Sequence, residues 1–123
     1  MPESSEGKPR LRQTKEMIAV DELERIINST KPVFPKHHIT KAILFGSRAR
    51  GDATKDSDYD FCCDIEHHNC HFGLIALAAL CNELDEVLHG ESHVVDSFML
   101  DQTNPGLYKN IESEGIVIYE RGK

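Results

Sequence analysis

Two short motifs in the first half of the chain contain the residues best suited to chemistry. Gly46 and Ser47 end one apolar run, and Asp58 and Asp60 open the next, with ten residues between Ser47 and Asp58. Glycine allows the backbone to approach a phosphate closely, and the free N–H groups at the start of a following short helix favour anions. Because the Ser47 hydroxyl can add a hydrogen bond to a terminal phosphate, the Gly-Ser pair predicts a phosphate-binding turn.

The Asp-x-Asp triplet predicts a site for a divalent cation. On a strand, Asp58 and Asp60 project from one face with Cα atoms about 6–7 Å apart, so both carboxylates can reach one point. A cation relieves their repulsion, and Mg²⁺ accepts one or two carboxylates together with substrate phosphates; Mn²⁺ is the alternative ion. Tyr59 and Phe61 point to the opposite face and are predicted core. Asp64 is excluded as a ligand because it lies about 13 Å beyond Asp60 along the strand.

Two arginines follow the Gly-Ser pair and are candidates for phosphate contact. Arg48 and Arg50 can form charge-assisted hydrogen bonds with phosphate oxygens. A surface or salt-bridge role for these side chains is equally compatible with their positions. The sequence therefore leaves open which of the two arginines faces a ligand.

Apolar spacing and turn residues predict the elements that position these motifs. Strands are predicted over 41–45, 58–65, 93–99 and 116–119. Helices are predicted over 20–29, 48–50, 72–88 and 105–114, the last with Asn104 as N-cap, Pro105 at its first position and Gly115 at its end. The apolar stripe of 72–88 is predicted to be core, with a partner-binding face as the alternative for part of it; its members are Leu74, Leu77, Ala78, Cys81, Leu84, Val87 and Leu88. The pattern indicates an α+β fold, with one mixed sheet flanked by helices.

Length and composition set limits on the class of protein. A chain of 123 residues with 39% hydrophobic residues predicts one globular domain, here 16–123, after a flexible polar tail over 1–15. The net charge of −7 argues against an extended nucleic-acid surface. We find neither an apolar run long enough to cross a bilayer nor the apolar segment of a secretion signal. A cytoplasmic location is therefore expected.

A cluster of metal-binding residue types lies outside these motifs. His67, His68, Cys70 and His71 fall within five residues of sequence. Such close ligands cannot easily all face one tetrahedral zinc ion, and no second Cys/His pair lies at a zinc-site spacing. A polar loop is the favoured interpretation.

The full arrangement of the first two motifs resembles a known family. Strand, Gly-Ser, ten residues and Asp-x-Asp on a second strand is the pattern of the minimal nucleotidyltransferases of the DNA polymerase β-like superfamily. The fuller form, Gly-Ser-x-Ala-Arg-Gly followed by Ser-Asp-x-Asp, is also present, and the resemblance extends over roughly residues 20–120. The family has a third metal-binding carboxylate on a later strand, and Asp96, after Val94-Val95, fits that context. Ser97-Phe98 departs from the family, which is usually aliphatic there.

The resemblance implies an activity and a partner. It implies Mg²⁺-dependent transfer of a nucleoside monophosphate, AMP from ATP being favoured, to a hydroxyl acceptor by attack at the α-phosphorus. Asp58, Asp60 and Asp96 would be the metal ligands and catalytic residues, and Asp96 could also help to deprotonate the acceptor. Stand-alone relatives commonly act as antitoxins that pair with HEPN-type ribonuclease toxins, and some transfer AMP to a tyrosine of the toxin. A hetero-oligomer or a homodimer is therefore expected.

Other functions remain open from the sequence. The chain could neutralise a toxin by occlusion alone, with nucleotide as at most a structural ligand, although occlusion does not require the aspartates. It could modify a small molecule, as the aminoglycoside-modifying relatives do, in which case dimerisation would have to complete the acceptor pocket. Transfer to tRNA ends is disfavoured because the acidic chain offers no basic stripe for RNA.

Overall fold

The computed structural model describes residues 18–66 and 73–122 of the chain. The predicted tail over 1–15 and the His- and Cys-rich segment over 67–71 lie outside the described residues. No described helix is long and apolar enough to cross a membrane.

Four strands form one mixed sheet. They are β1 (Ile39–Phe45), β2 (Tyr59–Ile65), β3 (Ser92–Asp96) and β4 (Ile116–Glu120), in the spatial order β3-β2-β1-β4. β1 pairs antiparallel with both β2 and β4, whereas β2 and β3 run parallel. This topology confirms the predicted α+β fold with a mixed sheet.

Six helices surround the sheet in the described part of the chain. They are α1 (Val20–Thr30), α2 (Val33–Lys36), α3 (Ser47–Arg50), α4 (Leu74–Leu88), α5 (Ser97–Thr103) and α6 (Pro105–Glu114). The predicted start of α6 is confirmed, since Pro105 is its first residue and the Asn104 side chain accepts a hydrogen bond from the Leu107 N–H. The very short α2 was not predicted.

The third strand is shorter than predicted, and a helix follows it directly. The prediction of a strand over 93–99 was wrong beyond Asp96, because α5 begins at Ser97. The Asp96 carboxylate accepts a hydrogen bond from the Phe98 N–H at 2.9 Å, so Asp96 is the N-cap of α5. An aspartate cap satisfies a backbone donor that the first helical turn leaves unpaired, and here it allows the chain to leave the sheet.

Apolar side chains cover both faces of the sheet. The larger core packs Phe61 and Leu44 against Phe34 and the buried leucines of α4. A smaller cluster on the other face joins Ile43 and Cys62 to Ile111 of α6. Successive strand residues alternate between faces, so Cys62 and its neighbour Phe61 belong to different clusters.

The buried stripe of α4 agrees with the prediction at Leu84 and Leu88 and differs from it at Leu74 and Leu80. Leu80, Leu84 and Leu88 are almost completely buried, whereas the predicted stripe included Leu74 and omitted Leu80. Leu74 is 85% exposed and the adjacent Ile75 is 88% exposed. Core packing therefore involves the second half of the helix, and its first turn is open to solvent.

Candidate functional site

A sharp turn after β1 positions the predicted phosphate-binding pair. Gly46 has φ 77° and ψ −157°, a backbone conformation that residues with a Cβ rarely adopt. Its carbonyl accepts hydrogen bonds from the N–H groups of Ala49 and Arg50, both at 3.1 Å. The chain thereby turns directly from β1 into α3, whose first residue is Ser47.

Gly46 also lies against one of the predicted metal ligands. The antiparallel register of β1 and β2 pairs Phe45 with Asp60, which brings the turn next to this carboxylate. A Cβ added at Gly46 would lie only 2.5 Å from Asp60 Oδ2. A glycine is therefore required here both by the backbone angle and by the close approach of the carboxylate.

The two aspartates differ in their surroundings. Asp58 precedes β2 and is exposed, whereas Asp60 lies on the strand and is partly buried. Burial raises the pKa of the Asp60 carboxyl above its ordinary value, and the negative charge of Asp58 adds to the rise. The positive charges of His93 and Arg50 oppose this rise without cancelling it. A cation bound near the two carboxylates would relieve their repulsion.

A histidine occupies the position beside Asp60 on the neighbouring strand. In the parallel pairing of β2 and β3, Asp60 is opposite His93. His93 Nε2 lies 3.0 Å from Asp58 Oδ2 and 3.6 Å from Glu91 Oε2. Ligand atoms of Asp58, Glu91 and His93 all lie within 4.8 Å of one another, so these three exposed residues could hold a metal ion.

Sequence reasoning missed both His93 and Glu91. A signal was available, because His93 opens the predicted third strand in the same way that Asp58 opens the second. The first residues of two adjacent parallel strands can lie side by side, but the choice of partner strands depends on topology that spacing alone does not give.

The structure does not bring Asp96 to this cluster, contrary to the sequence-based expectation. Asp96 is opposite Cys63, three residues beyond Asp60 on β2, which is about 10 Å along the strand. Cys63 packs in the larger core with Phe61, on the face opposite Asp60. The Asp96 carboxylate is engaged as the N-cap of α5. The apolar-Asp context lies on the strand next to β2, but at its far end from Asp58 and Asp60.

Arg48 is also placed away from the predicted phosphate site. It is 8% exposed, and its guanidinium lies over the Tyr59 ring at 4.1 Å, on the face of β2 opposite Asp60. Its Nη2 donates hydrogen bonds to the carbonyls of Ser57 at 2.8 Å and Lys55 at 3.3 Å, and its Nη1 lies 3.4 Å from Glu22 Oε2. Arg48 therefore has a structural role, the alternative to phosphate contact, because its hydrogen bonds hold the loop before Asp58.

Arg50 remains on the side of the Gly-Ser turn. Its side chain is exposed, and its one ion pair among the described residues is a long contact of 3.4 Å with Asp52. Together with Gly46, Leu107 and Glu114, Arg50 borders a groove of about 330 Å³ between α3 and α6. Its guanidinium is available to an anionic ligand near Gly46.

The remaining aspartate of β2 has a structural partner. Asp64 Oδ1 accepts a hydrogen bond from the Ser97 hydroxyl at the start of α5. Tyr59 and Phe61, predicted to be core from their alternation with the aspartates, are 3% and 0% exposed. The alternation of β2 is thus as predicted.

Comparisons with known proteins agree with this architecture. The family model described as polymerase beta nucleotidyltransferase matches residues 28–123. A candidate minimal nucleotidyltransferase of solved structure is 25% identical, with a TM-score of 0.64, over 78% of this chain and 92% of that chain. A chain from a toxin-antitoxin structure with AMP-PNP is 20% identical, with a TM-score of 0.60, over 81% of this chain and 74% of that one, and it shares the fold. No curated protein matches significantly.

The extent of these matches decides the family. The matched region begins within α1 and includes every strand of the sheet, the Gly-Ser turn and the Asp-x-Asp triplet. The chain therefore belongs to the polymerase beta nucleotidyltransferase family.

Proposed function

We propose that this protein transfers AMP from ATP to a hydroxyl group, using a divalent cation, Mg²⁺ or Mn²⁺, held by Asp58 and Asp60. The observation that carries the proposal is the contact between Gly46 and Asp60. Gly46 has a positive φ and lies directly against the Asp60 carboxylate, which supports a phosphate site next to a cation site. Triphosphate and cation would therefore share one small site, as transfer at the α-phosphorus requires.

Each residue of the site has a defined task in this reaction. Asp58 and Asp60 would hold the cation, which when bound would neutralise charge on the triphosphate. Ser47 and Arg50 would orient the phosphates by hydrogen bonds and charge. The acceptor hydroxyl loses its proton to solvent and its oxygen forms a bond to the α-phosphorus, while the bond from that phosphorus to the leaving pyrophosphate breaks. Asp96 has no part in this proposal, because its carboxylate caps α5.

The acceptor that we propose is a protein hydroxyl, a tyrosine of a HEPN-type toxin in the cytoplasm. Support comes from the chain of similar fold found in a toxin-antitoxin structure with AMP-PNP. The acidic character of the chain, with a net charge of −7, disfavours a nucleic-acid acceptor.

A second candidate function is neutralisation of the partner by binding alone. The specific observation in its favour is that a histidine, rather than a carboxylate, lies opposite Asp60 on the adjacent strand. A site that departs in this way from three carboxylates could retain nucleotide without transferring it.

One experiment separates the two functions. The full chain is incubated with its toxin, labelled ATP and Mg²⁺ or Mn²⁺, and intact-mass spectrometry follows addition of AMP to the toxin. We expect transfer by the wild type and by Asp56→Asn, a matched exposed aspartate in the same loop, and none by the Asp58→Asn/Asp60→Asn variant. A toxin that the double variant still neutralises in complex, without modification, would favour occlusion.

A further inference from the structure

We propose that His93 is a direct ligand of the divalent cation, and that its imidazole shifts the ion preference of the site from Mg²⁺ toward Co²⁺ and Zn²⁺. This inference rests on the metal site of the proposed function. It adds a ligand and a metal specificity that the aspartates alone do not provide.

The distances around His93 match those between ligands of one ion. Nitrogen and oxygen ligands bind such ions at about 2.0–2.2 Å, so neighbouring ligand atoms lie roughly 3.0–3.5 Å apart. His93 Nε2 lies 3.0 Å from Asp58 Oδ2 and 3.6 Å from Glu91 Oε2. The three side chains are thus arranged as ligands would be, around a point near Asp58.

The sheet itself sets this arrangement. Parallel pairing places His93 opposite Asp60, and Glu91 lies two residues earlier, so both strands bring donors to the same edge. Among the described residues, this is the group in which three metal-binding side chains converge. His37 and His38, by comparison, pair with single glutamates elsewhere on the surface.

The charge of the cluster also favours a cation. The ligand atoms of Asp58 and Glu91 converge with the imidazole, and Asp60 is opposite His93 on β2, so three carboxylates lie near one histidine. An ion pair between His93 and Asp58 alone would add little stability, because their side chains are 51% and 47% exposed. A divalent ion would offset most of the negative charge while using the imidazole as a neutral ligand.

The nitrogen donor decides which ion is preferred. Mg²⁺ selects oxygen ligands and gives up its waters reluctantly. Imidazole suits the later first-row ions, whose affinity for a mixed N/O site rises from Mn²⁺ through Co²⁺. A site with His93 as a ligand should therefore bind Co²⁺ and Zn²⁺ well above Mg²⁺, with Mn²⁺ between them.

Metal binding to the full chain tests this directly, with each metal salt alone as the probe. Calorimetry would give affinities for Mg²⁺, Mn²⁺, Co²⁺ and Zn²⁺, and Co²⁺ absorption would report nitrogen ligation. We expect His93→Gln to lose at least about tenfold in Co²⁺ affinity, since even second-sphere changes cost that much. His93→Asp should lower the Co²⁺-to-Mg²⁺ preference by a similar factor. His89→Asn, an exposed histidine in a left-handed position that asparagine tolerates, is the control and should bind as the wild type does.

The outcomes also separate this inference from the proposed function. Unchanged Co²⁺ affinity and an unchanged Co²⁺ spectrum in both His93 variants, with normal thermal unfolding, would overturn it. If the variants lose Co²⁺ as expected but the wild type transfers no AMP with any ion, the ligand assignment stands and only the catalytic proposal fails.

Discussion

The two ends of β2 carry aspartates on the same face but use them differently. At the first end, Asp60 lies against Gly46, with Asp58 and His93 beside it. At the other end, Asp64 accepts a hydrogen bond from the Ser97 hydroxyl. Both aspartates alternate with core residues, so strand periodicity alone cannot distinguish them.

The difference lies in the donors that surround each carboxylate. A hydroxyl satisfies Asp64, and a backbone N–H satisfies nearby Asp96, so this end of the sheet holds α5 in place. The first end instead gathers carboxylates, and burial together with Asp58 raises the pKa of Asp60. Carboxylates that lie close together beside a single histidine are suited to a cation, whereas capped carboxylates belong to the fold.

The sharpest test of this contrast changes one carboxylate at each end. We expect Asp60→Asn to reduce AMP transfer by roughly 10²–10³-fold, comparable to removing one preorganised electrostatic contact from an active site. Asp64→Asn should stay within a few-fold of the wild type, because its partner is structural. Single-turnover transfer of label from ATP measures both. Equal losses of AMP transfer in the two variants would contradict the proposed difference between the two ends of β2.

The close approach of Gly46 to Asp60 gives a second test, in stability as well as activity. Gly46→Ala must adopt a strained backbone and displace the Asp60 carboxylate, so we expect a loss of about 1–3 kcal/mol together with loss of transfer. Gly73→Ala is the matched control, since an added Cβ there meets nothing within 4 Å. Urea unfolding of the three proteins measures the effect, and wild-type stability in Gly46→Ala would contradict it.

Substitutions of the two arginines of α3 should have different effects. Replacing Arg48 should lower stability, and replacing Arg50 should lower ATP affinity. Arg48→Ala leaves the carbonyls of Lys55 and Ser57 without their donor, so we expect about 2–3 kcal/mol of destabilisation. Arg50→Ala should change the free energy of unfolding by less than about 0.5 kcal/mol while lowering ATP affinity. Denaturant titration and calorimetry with ATP check the pair. An Arg50 variant that binds ATP normally would exclude it from the phosphate site.

Asp96 should behave as a helix cap. Asp96→Ala removes the acceptor for the Phe98 N–H and should cost about 1 kcal/mol, whereas Asp96→Asn should be nearly neutral because asparagine caps equally well. Thermal unfolding measures both changes. Loss of AMP transfer in Asp96→Asn at unchanged stability would instead return Asp96 to the catalytic site.

The smallest expected effect is a pH dependence of stability in chelator-treated protein. The pKa of Asp60 is raised in the folded state, so stability falls as pH rises from the unfolded pKa through the folded one. Asp60→Asn removes this loss, and it should be more stable than the wild type at pH 7, by less than about 1 kcal/mol because the group is only partly buried. The gain should vanish below the unfolded pKa. A gain that persists in strong acid would have another cause.

Local patterns predicted much of the fold and part of the candidate site. The alternation of β2, the Gly-Ser turn and the Asn104 cap all depend on residues near one another in sequence, and the structure has them where they were predicted. The same holds for the helical nature of α4, although Leu80, which packs in the core with the sheet residues, was missing from its predicted stripe.

The features that could not be predicted from the sequence depend on pairing between segments that are distant along the chain. The parallel register of β2 and β3 places His93 next to Asp60. The same register places Asp96 opposite Cys63, away from the position expected for it. The burial of Arg48 likewise follows from contact with Tyr59 and Glu22, eleven and twenty-six positions away. Residue type and spacing cannot supply such partners.

The hydrogen bonds from Arg48 to the loop before Asp58 affect where the length of that loop can change. Because Arg48 is bonded to the carbonyls of Lys55 and Ser57, the last residues of the loop are fixed to α3. Asp52 and Thr54 are exposed and are bonded on either side of Ala53, the Asp52 N–H to the Ser47 carbonyl and the Thr54 N–H to the Ser57 hydroxyl. Residues inserted between these two contacts would lengthen an outer bulge, while Arg48 would still hold the carbonyls next to Asp58. Loop length could therefore differ at that point without moving Asp58.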